Sequence, residues 1–433
     1  MNTIILGRKG CEKLENKLNQ ILKKEVKVEA LINIILYSVI LLMPFLVVNI
    51  SFPRYLVGKQ VFLYGVGILL FAIIICLKPR KFTKEELASF LFLLTMLIPS
   101  VLSPVRSVAF WGSAERGEGI VIFSIYIMLL FLANRYLIIN KNSLNIIFVS
   151  SSIMALYGIL QFYGIDPIQK WMFGYISNYS SIGFIGNRNF LSSYICIFLF
   201  ISMAVYIFYG GKRYLIFSSI LFGGLICTLT RSGWLAFFIY SILGLIFILR
   251  DKVLLKRALK VFIIFSAIFL TLNITNHNKF INRASNTIYI SEETKELTIN
   301  DSGRIKILKI VWKAFMDKPF MGWGPDTLKY RLNEEYNELQ NNYISDHGAY
   351  IDKAHNEFLE YAVCNGIFNL IAYLYLIWLI IYKLIGEINN NISKILLLTL
   401  IGYLIQSFFN ISVVMVAPLF WIFLGFSLQE RRS

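Results

Sequence analysis

Long runs of apolar residues recur along the chain, and short polar segments separate most of them. Each run is close to the roughly 20 residues that a helix needs to cross the hydrocarbon core of a bilayer. The pattern predicts an all-α polytopic membrane protein with twelve transmembrane helices. The predicted spans are residues 30–50, 60–77, 87–103, 119–138, 144–164, 190–209, 214–230, 233–249, 258–274, 358–382, 395–412 and 413–428.

One polar stretch, residues 275–357, is far longer than the other connections. It divides the predicted spans into a group of nine at 30–274 and a group of three at 358–428. Short tails at 1–29 and 429–433 complete the predicted organisation. Because the first tail lacks a short apolar region followed by a small-residue cleavage site, we expect the first span to act as the insertion signal.

The distribution of basic residues predicts the orientation, because cytoplasmic segments near spans are enriched in Lys and Arg. With both termini inside, the cytoplasmic segments and adjoining span ends hold 24 of the 42 basic residues, the short outer connections hold seven, and the long loop holds eleven. Both termini are therefore predicted to be cytoplasmic and residues 275–357 to be extracytoplasmic. The formal charge of +17 is then explained by basic residues that face anionic membrane lipids, and nucleic acid is not expected as a partner.

Few ionisable side chains fall inside the predicted spans. Lys260 and Glu360 lie near span ends, and Arg135 lies near the cytoplasmic end of the fourth span. An ion-coupled transporter is expected to carry more, because charged residues inside a membrane usually mark ion or substrate pathways. This pattern disfavours a transporter without excluding one, since backbone carbonyls also bind ions. The outer loops contain no evident pair of cysteines, so a disulfide framework is not expected.

Charged residues gather instead in the short outer connections. Arg116 lies in the glycine-rich segment 111–119 and Arg188 in the segment 183–190, and glycines let a backbone approach a ligand closely. Arg231 lies in a very short hairpin between two spans, which keeps its side chain near the membrane surface. Ordinary interfacial turns, or an arginine that extends to the lipid headgroups, explain the same pattern.

The long loop begins with a polar run at 276–300 that contains no strong motif. Asp301 and Ser302 are candidate helix caps, and a helix is predicted after them. A turn at 320–326 and a second helix at 327–339 follow. The first helix has an apolar face and a lysine face, which suits a helix on the membrane surface. The apolar residues are Ile305, Leu308, Trp312 and Phe315, and the lysines are Lys306, Lys309 and Lys313.

Two positions in the loop suit chemistry. Arg304 is predicted at the start of a helix, where backbone amides and the helix dipole favour an anion, and its forked donors match phosphate geometry. His355, followed by Asn356, directly precedes the tenth span, and imidazole accepts a proton near neutral pH. A solvated cationic face and a structural interfacial histidine are the alternatives.

Metal catalysis finds little support in the sequence. The chain has three histidines, His277, His347 and His355. It has no outward pair of aspartates of the D-x-D kind, with Asp346 beside His347 as a weak exception. No G-x-S-x-G context for Ser/His/Asp hydrolysis is evident. We therefore predict metal-independent chemistry that uses no cofactor.

Four short motifs, in this order, resemble the O-antigen ligase and Wzy-type polymerase superfamily of bacterial membrane glycosyltransferases. They are Gly-Asn-Arg-Asn-Phe at 186–190, Thr-Arg-Ser-Gly at 230–233, the helix from Gly-Arg at 303–304 through Gly-Trp-Gly at 322–324, and His-Asn at 355–356. The resemblance covers about residues 100–430. It implies about twelve spans in the bacterial cytoplasmic membrane. It also implies transfer of a glycan, on the outer face, from a polyprenyl diphosphate carrier to a hydroxyl of a sugar, lipid or protein acceptor.

The resemblance also implies roles for single residues. The family's hairpin arginine, loop arginine and loop histidine match Arg231, Arg304 and His355, which are the predicted catalytic residues. The guanidinium groups would stabilise charge that grows on the diphosphate leaving group. The histidine would take the proton from the acceptor hydroxyl or, if charged, would hold a phosphate. The predicted substrate-binding residues are Arg188, Arg116 and Asn356.

Other functions stay open at this point. A polymerase of the same superfamily would transfer the glycan to another carrier-linked repeat, whereas a ligase would transfer it to a separate acceptor. The span count by itself also fits a flippase or other transporter of lipid-linked glycans. A structural partner in an envelope complex is a third possibility.

Overall fold

The structure is a computed structural model that describes residues 27–49, 53–173, 181–285, 288–290, 297–299 and 303–431. Within these ranges the chain is a bundle of helices with one short two-stranded hairpin. The predicted N-terminal tail up to residue 26 and the candidate caps Asp301 and Ser302 lie outside the described residues.

Nine helices coincide with the first nine predicted spans. They are α1 (Lys27–Phe45), α2 (Arg54–Cys76), α3 (Lys84–Leu102), α5 (Ile120–Tyr136), α6 (Lys141–Phe162), α8 (Arg188–Tyr209), α9 (Lys212–Cys227), α10 (Arg231–Ile246) and α11 (Lys252–Thr275). Two short helices lie in the connections between them. These are α4 (Arg106–Trp111) and α7 (Pro167–Phe173).

The long loop contains four helices and a hairpin. The helices are α12 (Lys279–Ser285), α13 (Arg304–Asp317), α14 (Leu328–Glu335) and α15 (Asn337–His347), and the strands are β1 (Ile288–Ile290) and β2 (Leu297–Ile299). The strands pair antiparallel, with Ile288 opposite Ile299. The hairpin adds a small β element to a fold predicted as all-α. After the loop the chain forms α16 (Glu357–Asn365), α17 (Ile367–Gly386), α18 (Asn391–Phe408) and α19 (Ala417–Ser427).

Seven helices of the described chain are both long and apolar enough to cross a membrane, namely α1, α2, α3, α6, α8, α17 and α18. Three shorter apolar helices, α5, α10 and α19, accompany them. A helix therefore lies at each of the twelve predicted spans, whereas length and hydropathy together support seven. Helices in a membrane satisfy their own backbone groups, which is why the apolar runs fold this way.

The predicted span at 358–382 is wrong as a single helix, because the chain breaks at Gly366. Its φ of 88° lies in a region that glycine adopts at low cost. The loop segment 319–324 supports the break: the Ile367 N–H donates to the Pro319 carbonyl at 2.8 Å, and the Gly324 N–H donates to the Cys364 carbonyl at 2.8 Å. The short helix α16 thus belongs to the loop as much as to the bundle.

The predicted spans at 395–412 and 413–428 are directly adjacent, but the structure separates them. Helix α18 ends at Phe408, and α19 begins at Ala417. The intervening residues 409–416 form a non-helical connection that is largely buried. Its apolar composition conceals it from a hydropathy pattern.

Two charged residues lie inside candidate spans in addition to those expected from the sequence. Lys59 is buried in α2, where its Nζ donates to the carbonyls of Leu46, Tyr55 and Phe184. Glu86 is buried in α3 and forms an ion pair with Arg135 at 2.7 Å. Lys59 was not expected in a span because α2 begins at Arg54, ahead of the predicted start at residue 60. Both charges have close partners, as buried charges require.

Helix α13 buries an apolar face that the sequence analysis did not single out. Ile305 and Trp312 are exposed, whereas the face packed into the loop core contains Ile307, Ile310, Val311, Ala314 and Phe315. Of the predicted face, only Phe315 is buried. Two apolar stripes run along this helix, and spacing alone does not tell which one meets protein. The exposed stripe continues to Phe320, whose ring stacks on Phe368 of α17 at 6.0 Å. This exposed stripe contains most of the face for which contact with the membrane surface was predicted, and that contact stays a prediction.

Helix α8 is the most enclosed of the candidate spans, and it packs against α9, α10 and α18. Gly233 lets α10 approach α8 closely, since a Cβ there would lie 2.1 Å from the Ser192 Oγ. This contact sets the first turn of α10 against the first turn of α8. Arg231 and Arg188, which begin these two helices, consequently lie at the same end of the bundle.

Candidate functional site

Four helices begin near one another around a single region. Helices α8, α10 and α13 begin at Arg188, Arg231 and Arg304, and α16 begins directly after His355 and Asn356. The first turn of a helix presents unpaired backbone N–H groups and the positive end of the helix dipole. Three of these helix starts add a guanidinium group. The region is therefore suited to an anion.

The three arginines form a group with a fourth, Arg283 of α12. The Arg231 Nη2 lies 3.4 Å from the Arg283 carbonyl oxygen, to which it donates. The positive charge of Arg283 acts on both Arg188 and Arg231, and that of Arg304 acts on Arg231. Mutual repulsion of like charges favours a bound anion at this position.

Arg283 was missed by the sequence analysis. It lies in the polar run at 276–300, where no motif marks it. Only the folding of α12 back toward α10 brings it to Arg231. Its position in the sequence did not indicate that it would lie near the other arginines.

The buried connection at 409–416 contacts this region. The Arg304 Nη1 donates to the Phe409 carbonyl at 3.3 Å. The Asn410 Nδ2 donates to the Asn189 carbonyl at 3.0 Å, beside Arg188. One buried connection therefore contacts both the start of α8 and Arg304. It was also missed, because it lies within predicted spans.

His355 occupies a strained backbone position at φ 51°, which costs about 1–2 kcal/mol for a residue other than glycine. Burial lowers its pKa to about 4; the nearby Asp352 carboxylate opposes this shift, and the charges of Arg304 and Arg116 add to it. The imidazole is therefore neutral at pH 7. Arg304 and His355 lie within electrostatic range of each other.

Arg116 is already engaged with a carboxylate. Its Nε and Nη2 lie 2.7 Å and 2.6 Å from the Asp352 Oδ2, and its guanidinium lies 5.6 Å from the centre of the Phe190 ring. Burial raises the pKa of Asp352, but the charge and hydrogen bonds of Arg116 more than offset this effect, so the pKa is lowered. Arg116 thus connects the loop that carries His355 to the start of α8. Asp352 was missed by the sequence analysis.

Asn356 is the N-cap of α16, and its Oδ1 accepts the Leu359 N–H at 3.0 Å. Asparagine is among the preferred residues at this position, because its side chain satisfies an amide that the helix leaves open. A role for Asn356 in substrate binding therefore rests on its amide nitrogen.

A group of buried carboxylates and one lysine lies next to these residues and was also missed. Its members are Glu118, Asp326, Lys353, Glu357 and Glu360. Burial raises the pKa of Glu118 to about 7, and the charge of Lys353 opposes this shift. Among the described residues, no three His, Cys, Asp or Glu side chains are placed to share a metal ion. Metal independence stays a prediction.

A family model described as O-antigen ligase (Wzy_C) matches residues 216–374. The matched stretch contains Arg231, Arg283, Arg304 and His355, whereas Arg116 and Arg188 lie before it. No curated protein matches the chain.

Proposed function

We propose that this chain, whose residues 216–374 match an O-antigen ligase (Wzy_C) family model, belongs to the O-antigen ligase and Wzy superfamily of membrane enzymes and is a membrane glycosyltransferase. It transfers a glycan from a polyprenyl diphosphate carrier to an acceptor hydroxyl in the synthesis of an envelope polysaccharide. The observation that carries this proposal is the group of arginines at the starts of α8, α10 and α13, beside a neutral histidine.

In the proposed reaction, the acceptor oxygen forms a bond to the anomeric carbon, and the bond from that carbon to the diphosphate oxygen breaks. Negative charge grows on the departing polyprenyl diphosphate. Arg231 and Arg304 stabilise that charge, and the positive ends of the helices add to the effect. Arg188 and Arg283 hold the diphosphate in the ground state. None of these steps requires a metal ion.

His355 accepts the proton of the acceptor hydroxyl. A histidine that is neutral at pH 7 suits this role better than the role of a cationic phosphate ligand. Burial is the main cause of the low pKa of His355, and the charge of Arg304 adds to it. When the donor binds, its diphosphate offsets the charge of Arg304, so the pKa of His355 rises and the imidazole becomes a stronger base. Asp352 stabilises the imidazolium that forms.

We also propose the orientation indicated by the basic residues, with both termini cytoplasmic and the site on the extracytoplasmic face. On that face, the site meets carrier-linked glycans in the outer leaflet. Eleven basic residues in the long loop are compatible with this side, because long loops translocate largely regardless of charge.

The product of the purified full chain tests the proposal. In liposomes that contain a radiolabelled polyprenyl diphosphate glycan and an acceptor glycan, we expect a new glycosidic bond and free polyprenyl diphosphate, with chelator present. A single addition to the acceptor identifies a ligase, whereas a ladder of carrier-linked repeats identifies a polymerase. Movement of the labelled lipid across the bilayer without a new bond would reject the glycosyltransferase and establish a flippase.

A further inference from the structure

Lys353 is a buried cation that no step of the proposed reaction uses. Its side chain is 4% exposed, and its Nζ lies 3.1 Å from the Asp326 Oδ1 and 3.2 Å from the Glu360 Oε1. Each carboxylate belongs to a different part of the chain, the turn before α14 and helix α16. One ammonium group therefore joins two elements that are separate in sequence.

Asp326 extends this connection to the turn that carries Arg116. Its Oδ2 accepts the backbone N–H groups of Ser113 at 2.7 Å and Glu118 at 3.2 Å, one on each side of that turn. Asp326 adopts a φ of 62°, which is unfavourable for a residue with a Cβ. The ion pair with Lys353 holds it there.

Glu360 extends the connection to the loop that carries His355. Its Oε2 accepts the Ala354 N–H at 2.8 Å, and Ala354 directly precedes the histidine. His355 also has a positive φ, so its backbone geometry depends on contacts made by its neighbours. The side chain of Lys353 and the backbone of Ala354 are fixed by the same carboxylate.

We propose that Lys353 is a positioning residue that holds the Arg116 turn and the His355 loop in register. The two connections meet again at the bond between Arg116 and Asp352, so the contacts form a closed ring. In a closed ring, the buried ammonium group and the Arg116–Asp352 pair together set the position of His355 relative to Arg116. Lys353 does not contact the substrate. Its effect on transfer rests on the proposed function of His355.

The test variant is Lys353→Met with Asp326→Asn. Removing the lysine alone would leave two buried carboxylates without a cation and would endanger folding. The asparagine oxygen still accepts the Ser113 and Glu118 N–H groups. The double variant therefore removes both ion pairs of Lys353, leaves only Glu360 without its cation, and keeps the net charge of the group unchanged. Lys329→Met is the matched control. Lys329 forms a 2.9 Å ion pair with Glu115, which links the same turn to α14 at a more exposed position.

The primary readout is the rate at which diethylpyrocarbonate modifies His355 at pH 7, followed by peptide mass spectrometry on the full chain. His347 and His277 are internal controls in the same molecule. We expect the His355 rate to rise on the order of tenfold in the double variant, because a lost charged hydrogen bond eases local opening. The two other histidines and the Lys329→Met control should react as in the wild type.

An unchanged His355 rate in the double variant would overturn the proposal. A parallel rise at His347 would also overturn it, because it would indicate general loosening of the loop. The readout does not depend on glycan transfer. If His355→Gln transferred glycan normally, the role of His355 as base would fail, while the modification rates would still decide the role of Lys353.

Discussion

His355 combines a strained backbone with a buried side chain that lies close to charged groups. Its backbone is held at φ 51°, and its pKa is about 4 because burial and two arginines outweigh Asp352. The sequence located this histidine from its place before the tenth span. It did not indicate whether the imidazole is charged, because that depends on Asp352 and Arg116, which contact each other only in the fold.

The pH dependence of transfer tests the state of His355. In the free enzyme the neutral base persists down to a pH of about 4, so kcat/KM for the donor should lose activity on acidification only near that pH. Bound diphosphate raises the pKa of His355. Because kcat reports the complex and kcat/KM the free enzyme, the acid limb of kcat should lie at higher pH than the acid limb of kcat/KM. Coincident limbs, or a rate that increases as the pH falls through this range, would contradict the role of His355 as base.

Arg283 offers a second test at the residue scale. Arg283→Gln removes one of the four charges that would hold the diphosphate. We expect KM for the donor to rise on the order of tenfold, with a smaller change in kcat, because the interaction is made in both ground and transition states. Lys279→Gln changes a cation on the same helix and should leave KM unaltered. An equal rise in KM for both variants would indicate that each loses only general electrostatic attraction for the donor, and would contradict a specific contact between Arg283 and the diphosphate.

At the scale of elements, hydrogen bonds join the long loop to the helix bundle. At the break between α16 and α17, the Cys364 carbonyl accepts a hydrogen bond from the Gly324 N–H, and the Ile367 N–H donates one to the Pro319 carbonyl. The Asn365-Gly366 pair at this break is a turn signal, but it lies within a long apolar run, and glycines also occur within intact helices such as α2. Hydrophobic spacing therefore predicted where helices lie, but their breaks and buried faces depend on partners that are distant along the chain.

Arg331 joins three elements of the loop and is almost fully buried. Its Nη2 donates to the Ala314 carbonyl of α13, its Nη1 to the Val363 carbonyl of α16, and its Nε to Glu335. Arg331→Met leaves the carbonyls without these donors. We expect the free energy of unfolding to fall by about 3 kcal/mol.

Thermal unfolding of the purified protein measures this effect. Lys318→Met is the control, because Lys318 pairs with the same Glu335 from a half-exposed position. Exposed pairs contribute about 0–1 kcal/mol, so its unfolding midpoint should stay close to that of the wild type. Equal midpoints for the two variants would show that burial of Arg331 adds no stability.

At the scale of the whole molecule, the candidate site combines residues from distant parts of the chain. Arg188, Arg231, Arg304 and His355 were predicted as separate positions, and the structure brings them to one end of the bundle. Each lies at a helix start or next to a span, where the sequence signal is strong. The buried connection at 409–416, Arg283 and the Lys353 group were not predicted, because their place depends only on tertiary packing.

The same convergence explains why the molecule needs both its bundle and its long loop. The bundle supplies the starts of α8 and α10, and the loop supplies α13 and His355. The candidate site therefore draws its residues from both parts. The structure gives Arg116 and Asn356 contacts that the sequence analysis did not predict. Arg116 pairs with Asp352, and Asn356 caps α16.

The most direct measurement of the central claim is glycan transfer by purified Arg304→Ala in liposomes, compared with wild type and Lys306→Ala. Lys306 lies on the same helix and pairs with Asp346 at the surface. We expect kcat to fall on the order of 100-fold or more for Arg304→Ala, with unchanged abundance and unfolding midpoint, and near-normal transfer by Lys306→Ala. Wild-type rates of transfer by Arg304→Ala would contradict the proposed arginine-stabilised leaving group.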